Sequence, residues 1–307
     1  MADTVTPAAA TEDAPPAFPG AVEPARERTV RSLGIGIHVA EWGDPDAEPV
    51  LLCHGFWDHV RSFALLAPLL ARRYRVVAMD ARGHGDSGWA GAYSWTTWVT
   101  DIVHVLRDLG RPALLVGHSM SGGQTTDAAR AAAELVRKLV NIDGFGPPPE
   151  DPQRPAKLAE LTRYLNYRRR LGRQRDWNPY PSLDDLVRRR REQNPRLSEE
   201  WLRYFLFWGA RRDAAGWRWK SDPQMAAGAG PWRPDWIGPG FATLRMPLLA
   251  VVGSEADTWG PLPERILAER LRHAPQLERA TVAGAGHFVH IEQPAATARV
   301  IEDFFAA

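Results

Sequence analysis

Leu114-Leu115-Val116-Gly117-His118-Ser119-Met120-Ser121-Gly122-Gly123 is the stretch on which the reading of this chain turns. An apolar run of strand character stops at Gly117, and an alanine-rich, helix-forming stretch begins just after Ser119. A serine held where strand and helix backbones converge needs little bulk two positions before and after it. Gly117 meets that need fully, and Ser121 meets it with a small side chain where glycine would fit best. The helix N-terminus adds free backbone N–H groups and the positive end of a dipole beside the hydroxyl. Ser119 is therefore a candidate nucleophile on a sharp strand-to-helix turn.

Outward from that turn, the chain alternates strands and helices. Val30 to Trp42 alternates apolar and polar residues around Gly34 and Gly36, as a hairpin or bulged strand pair does. Val50 to Cys53 predicts a short buried strand, followed by His54-Gly55-Phe56-Trp57, and residues 59–71 carry apolar positions at helical spacing. Tyr74 to Met79 predicts another strand, which ends in Asp80-Ala81-Arg82-Gly83-His84-Gly85-Asp86-Ser87-Gly88. Thr96 to Leu109 predicts an amphipathic helix with Val99, Ile102, Val103, Leu106 and Leu109 on one face, capped by Gly110. After the serine turn come the strand-like Leu139-Val140-Asn141-Ile142 and then Asp143-Gly144. The pattern predicts an α/β fold with a doubly wound, mostly parallel sheet.

From Pro147 the texture changes, and the alternation returns only with a strand over Met246–Val252, a helix over 263–273, a strand over Leu277–Val282 and a last helix after Pro294. Residues 151–240 hold 19 basic against 11 acidic side chains, a net +8 in a chain whose whole balance is +1. Seven of the 13 tryptophans also fall there: Trp177, Trp201, Trp208, Trp217, Trp219, Trp232 and Trp236. This division predicts a disordered tail over 1–26, a first core part over 27–146, a helical cap inserted over 147–240 and a second core part over 241–307.

Composition narrows the function classes. The 307 residues are 44% hydrophobic and 24% charged, enough for a sizeable core. A single cysteine, Cys53, inside an apolar run, excludes an intramolecular disulfide framework and a cysteine zinc cluster. No stretch approaches the roughly 20 apolar residues of a membrane span, and the first residues lack the basic start and apolar middle of a secretory signal. A cytoplasmic protein is expected, with neither a membrane nor nucleic acid as partner, because no reader motif accompanies the basic runs.

Three side chains fall where a serine nucleophile needs partners, outside the carboxyl ends of strands: Ser119, Asp257 after the run 247–252, and His287 after the strand 277–282. Asp143, at the end of the strand before the insert, is the alternative acid, and Asp257 is preferred. His290 is a rival to His287 but lacks the preceding Gly-Ala-Gly, and His118 and His84 read as structural. Asp80, Arg82 and Asp86 are expected to fix their loop through turn hydrogen bonds.

The order Ser…Asp…His, His54-Gly55-Phe56, the Arg82-Gly83-His84-Gly85-Asp86-Ser87 turn, and Gly286-His287-Phe288 followed by Glu292-Gln293-Pro294 together resemble the α/β-hydrolase superfamily. The resemblance runs through residues 30–145 and 245–305. It implies a nucleophile elbow at Ser119, His287 as general base and Asp257 as the group that orients it, with backbone N–H groups of Phe56 and Met120 as the oxyanion hole. It also implies a serine hydrolase acting on a carboxylic ester or similar small acyl compound through an acyl-enzyme, with no metal and no organic cofactor. A carbon–carbon bond hydrolase or a cofactor-free perhydrolase would use the same triad, although Phe288 stands where carbon–carbon hydrolases often carry Trp. A hydrolase-fold receptor with little turnover is the alternative of another class.

The pocket is expected to draw on Trp57, His118, Phe145, Trp208, Trp259 and Phe288, with several insert tryptophans lining or closing it. Arg168-Arg169-Arg170 and Arg188 to Arg191 read as solvated helix faces. The oligomeric state is left open.

Overall fold

One eight-stranded sheet carries the fold. The computed structural model describes residues 14–147, 157–172, 176–228 and 237–307. β1 (Arg26–Ser32) and β2 (Ile35–Trp42) form the antiparallel hairpin, and β2 runs antiparallel to β4 (Tyr74–Met79). From there every pairing is parallel: β4 with β3 (Glu48–Cys53), β3 with β5 (Ala113–His118), β5 with β6 (Val136–Ile142), β6 with β9 (Leu248–Gly253) and β9 with β10 (Leu277–Val282).

The two-residue period of the strands sorts side chains onto the two faces. Leu51, Cys53 and Leu115 pack on one face with Ile102, Val105 and Leu106 of α2 (Trp95–Asp108), Ala128 and Ala129 of α3 (Met120–Ala131), and Leu267 and Leu271 of α8 (Glu264–Leu271). Val50, Leu52, Leu114 and Val116 pack on the other face with Leu70 of α1 (Ala67–Leu70), Val289 of α9 (Val289–Glu292), and Ile301 and Phe304 of α10 (Pro294–Ala306). Both faces of the sheet are thus covered, as a parallel sheet requires. Burial holds the Cys53 thiol well above its ordinary value, which suits a small core side chain.

The helix expected over 59–71 is broken. A 3₁₀ turn at Val60–Phe63, capped by the His59 side chain, is followed by the single turn of α1, which carries Pro68 in its first turn. The disordered tail expected over 1–26 is corrected for its second half. Ala21 N–H donates to Phe18 C=O and Val22 N–H to Ala64 C=O, Phe18 meets Trp201 edge-on at 5.0 Å, and Trp42 Nε1–H donates to Val22 C=O. Residues 1–13 lie outside the described residues.

Between β6 and β9 the chain leaves the sheet. It forms α4 (Lys157–Leu171), α5 (Leu183–Arg191) and α6 (Glu199–Gly209), then returns through α7 (Ile237–Phe241), whose Phe241 packs against the sheet cluster. The expectation of an all-helical insert is corrected: β7 (Ala210–Asp213) and β8 (Gly216–Trp219) form an antiparallel hairpin. Gly216 has φ +128° and lies so close to Tyr180 that a Cβ would stand 2.3 Å from its carbonyl oxygen, so only glycine fits that turn. A separate apolar cluster holds the insert together and joins it to the body through Ala64, Leu65, Phe288 and Ile291.

Candidate active site

The turn between β5 and α3 builds the site from the backbone up. Ser119 has φ 54° and ψ −120°, a conformation costly for any residue with a Cβ and typical of strained functional turns. Its N–H donates to Ile142 C=O at 2.9 Å, which ties the turn to the end of β6. A Cβ on Gly117 would stand 2.3 Å from Thr125 Oγ1, and one on Gly122 would stand 2.6 Å from Gly144 Cα. The close approach therefore falls at Gly117, Gly122 and Gly144. Ser121 is accommodated, buried, with its hydroxyl donating to Gln124.

Ser119 Oγ lies 2.9 Å from His287 Nε2, and His287 Nδ1 lies 2.6 Å from Asp143 Oδ2. The carboxylate only accepts, so Nδ1 carries the proton and Nε2 is free to accept from the serine hydroxyl. Both His287 and Asp143 are buried. The preferred acid is therefore corrected: it is Asp143, not Asp257, whose carboxylate reaches the imidazole. Asp143 turns toward it with φ 45° at the end of β6, and Gly260 leaves it room, since a Cβ there would lie 2.1 Å from Asp143 Oδ2.

Asp257 serves the loop instead. Its Oδ2 accepts from His287 backbone N–H at 2.7 Å, and its Oδ1 accepts from Trp259 N–H at 2.8 Å and Gly260 N–H at 3.2 Å. His118 holds the other side of the same residue, with Nε2–H donating to His287 C=O at 3.0 Å. His287 is thus fixed at its backbone by Asp257 and His118 and at its ring by Asp143 and Ser119. Glu292 supports the loop by accepting from Gly286 N–H at 3.1 Å and from Arg196 Nε at 2.7 Å.

The turn from Asp80 to Gly88 shapes the opposite wall. Asp80 accepts from Val60 N–H at 2.8 Å, Asp86 N–H at 2.9 Å and His38 Nδ1 at 2.8 Å, while Arg82 pairs with buried Asp101. Ala81 N–H donates to His54 Nε2 at 3.0 Å, so His54 donates from Nδ1 to Gly55 C=O at 2.7 Å. His84 Nε2 accepts from Trp57 N–H at 3.3 Å, and Trp57 takes φ 56° there. Burial pushes His84 and His290 down to about 3, and His118 well below its ordinary value, so these rings are neutral supports.

A cavity of about 580 Å³ opens over Ser119. Among residues expected in it, Trp57, His118, Trp259 and Phe288 line the wall, as do Phe56 and Met120, expected to supply the oxyanion-hole N–H groups. Phe145 and Trp208 do not, and both assignments are corrected. Phe145 is buried in the sheet cluster beside Phe241, and Trp208 packs under the Arg61 guanidinium at 4.2 Å. The described insert tryptophans also stay off the wall. Trp201 and Trp217 are buried in the insert's own cluster, and Trp177 stops at an edge contact 5.6 Å from the Trp57 ring. Trp232 and Trp236 lie outside the described residues.

The insert lends the wall polar groups instead, namely Arg190, Gln193 and Asn194, while α2 adds Trp95 and Trp98. Sequence reasoning missed these, and for Arg190 a signal existed. Leu183, Leu186, Val187 and Arg190 follow the i, i+3, i+4, i+7 spacing of one helix face, and all four are buried while Arg188, Arg189 and Arg191 are exposed. Among the described residues, two sets of three side chains could bring ligand atoms to a cation: His38, Asp80 and Asp86, and the buried Asp58, His118 and His290.

The parallel sheet, the serine turn and the His287 contacts define the class, and the comparisons agree. The chain belongs to the alpha/beta hydrolase family, whose model matches residues 50–300.

Among relatives, it is similar to the 2-(acetamidomethylene)succinate hydrolase of Mesorhizobium japonicum, with 29% identity over 284 residues, 90% of this chain and 95% of that protein. It is 33% identical to a probable serine hydrolase of Drosophila melanogaster over 135 residues, 41% of this chain and 40% of that protein. The matches to this and two further serine hydrolase-like proteins span only 33–40% of those proteins' length. Among solved structures, it superposes on a thioesterase domain from the curacin biosynthetic pathway with a TM-score of 0.79 and 27% identity, covering 91% of this chain and 99% of that one. Among the described residues, no helix is long and apolar enough to cross a membrane.

Proposed function

We propose that this α/β-hydrolase is a serine hydrolase that cleaves a carboxylic ester or closely related acyl compound through an acyl-enzyme. The observation that carries the reading is the relay Ser119 Oγ, His287 Nε2, His287 Nδ1, Asp143 Oδ2, with links of 2.9 and 2.6 Å, opening on the 580 Å³ cavity. Ser119 Oγ attacks the acyl carbon as its proton passes to His287 Nε2. Ionised Asp143 keeps the imidazole in the tautomer that can accept, and it stabilises the cation that forms. The developing oxyanion faces the backbone N–H groups of Phe56 and Met120, both on the cavity wall, the second at the start of α3 where the first N–H groups have no partner within the helix. His287 then gives its proton to the leaving group, and a water molecule repeats the sequence to release the acid.

The relatives support a hydrolase of this kind, among them a thioesterase domain and a 2-(acetamidomethylene)succinate hydrolase. The test is a panel of 4-nitrophenyl esters of increasing acyl length, with the mass of the intact protein read after a fluorophosphonate probe. Turnover together with one probe adduct on Ser119, both absent in Ser119→Ala, is the expected result. Turnover that survives in folded Ser119→Ala overturns the covalent mechanism.

A further inference from the structure

Arg190 is a buried cation on the wall of the catalytic cavity. It stands in the last turn of α5, on the apolar face that Leu183, Leu186 and Val187 define, and only 7% of its surface is exposed. Its Nε is buried with no hydrogen-bond partner, and among the described residues no carboxylate forms an ion pair with its guanidinium. Phe205 lies under the guanidinium at 5.7 Å, which leaves the donor edge rather than that face to meet a partner. The acidic group that acts on it through space is buried Asp58, itself with one carboxylate oxygen unpartnered.

Asn194 is also buried and on the wall. Gln193 completes this polar side of a cavity whose remaining wall is largely aromatic: Phe56, Trp57, Trp95, Trp98 and Phe288. A buried guanidinium is costly unless a charged acceptor meets it. Its planar fork matches the two oxygens of a carboxylate. The wall of the reaction cavity thus carries a guanidinium suited to a carboxylate.

We propose that Arg190 receives a free carboxylate of the substrate, so that the enzyme acts on acyl compounds that carry a second, ionised carboxyl group. This proposal rests on the serine-hydrolase reading above and adds the substrate class. Arg190 selects and orients. It takes no part in the proton transfers of Ser119 and His287.

The test compares mono-4-nitrophenyl esters of succinic, glutaric and adipic acids with the same esters capped as methyl esters at the far carboxyl. The wild-type protein is expected to favour the best free acid over its capped partner in kcat/KM by about 10- to 100-fold, the worth of charge-assisted hydrogen bonds. In Arg190→Gln that ratio is expected to collapse toward one, and Arg190→Lys should keep part of it, since a point charge replaces the fork. Protection of Ser119 from a fluorophosphonate by free glutarate gives a readout independent of turnover, expected in the wild type and weakened in both variants. A wild-type ratio near one with no protection overturns the proposal while the capped esters still turn over, which leaves the serine-hydrolase reading standing. An unchanged ratio in folded Arg190→Gln also overturns it and makes Arg190 only the counter-charge of Asp58. Should neither ester series turn over and the probe leave Ser119 unlabelled, the underlying reading fails, and this proposal with it.

Discussion

Asp143 Oδ2 meets His287 Nδ1 at 2.6 Å from the end of β6, the strand paired directly with the one that presents Ser119. Two neighbouring parallel strands therefore bring Ser119 and Asp143 to His287, which arrives from the loop after β10. Asp257, at 2.7 Å from the His287 backbone N–H, holds the loop rather than the ring.

That geometry separates two variants of the same size. Asp143→Asn should lower kcat by about 10⁴, because an amide at that position favours the wrong imidazole tautomer. Asp257→Asn should cost roughly tenfold at most, since an amide oxygen can still accept from the backbone N–H groups. Steady-state kinetics on one ester, with both proteins shown folded by circular dichroism, checks the ranking. The reverse order would move the acid to Asp257.

The strain at Ser119 predicts a trade between stability and chemistry. Replacing the nucleophile should cost about 10⁴–10⁶ in kcat for both Ser119→Ala and Ser119→Gly. With φ 54° and ψ −120°, however, the position suits glycine far better than alanine. Ser119→Gly should be more stable than Ser119→Ala by about 1 kcal/mol or more. Urea melts of the two inactive proteins measure the difference, and equal midpoints would mean the turn carries no such strain.

The alternation of strands and helices, the serine turn and His287 were legible because each depends on local pattern: period-two apolar runs, small residues at a tight turn, and loops at the carboxyl ends of strands. The acid was not. Asp143 and Asp257 both follow strands, and spacing says nothing of which carboxylate turns inward. That choice is made by the φ 45° of Asp143 and the gap at Gly260, both set by tertiary packing. The insert misled in a similar way. Trp201 and Trp217 fill a core the insert makes for itself, and a sequence does not distinguish an aromatic that faces its own cluster from one that faces a cavity. Arg190 was hidden inside a run of four arginines, although its place on the apolar face of α5 could be read from spacing alone.

The packing of the insert tryptophans leads to a stability prediction. Trp201 is 2% exposed, touches Phe18 at 5.0 Å and Tyr204 at 5.3 Å, and does not line the cavity. Trp201→Ala should cost about 3–5 kcal/mol, as large aromatic truncations in cores do. The relative kcat/KM of short and long acyl esters should stay as in the wild type. A changed preference with unchanged stability would place Trp201 among the residues that choose substrate.

Buried histidines set opposite pH limbs on stability, according to whether a carboxylate meets the ring. His59, His84 and His290 are pushed by burial from 6.5 to about 3, so the folded state keeps them neutral. Between those values the unfolded chain binds more protons than the folded one, and stability falls as pH drops below about 6.5. His38 has the opposite sign. Burial lowers it, but the hydrogen bond and charge of Asp80, with Glu27 on its other nitrogen, outweigh that and raise it from 6.5 to about 9. Its contribution is complete below 6.5 and is lost as pH rises through 9. Urea melts of wild type and His38→Gln across this range isolate the pair. The stability gap between them should be constant below about 6.5 and shrink steadily toward pH 9, while the acid limb, which His38 does not govern, stays steep in both proteins at more than one proton per molecule. A gap that widens as pH rises would mean that His38 is neutral in the folded protein and that its contacts with Asp80 and Glu27 do not form an ion pair.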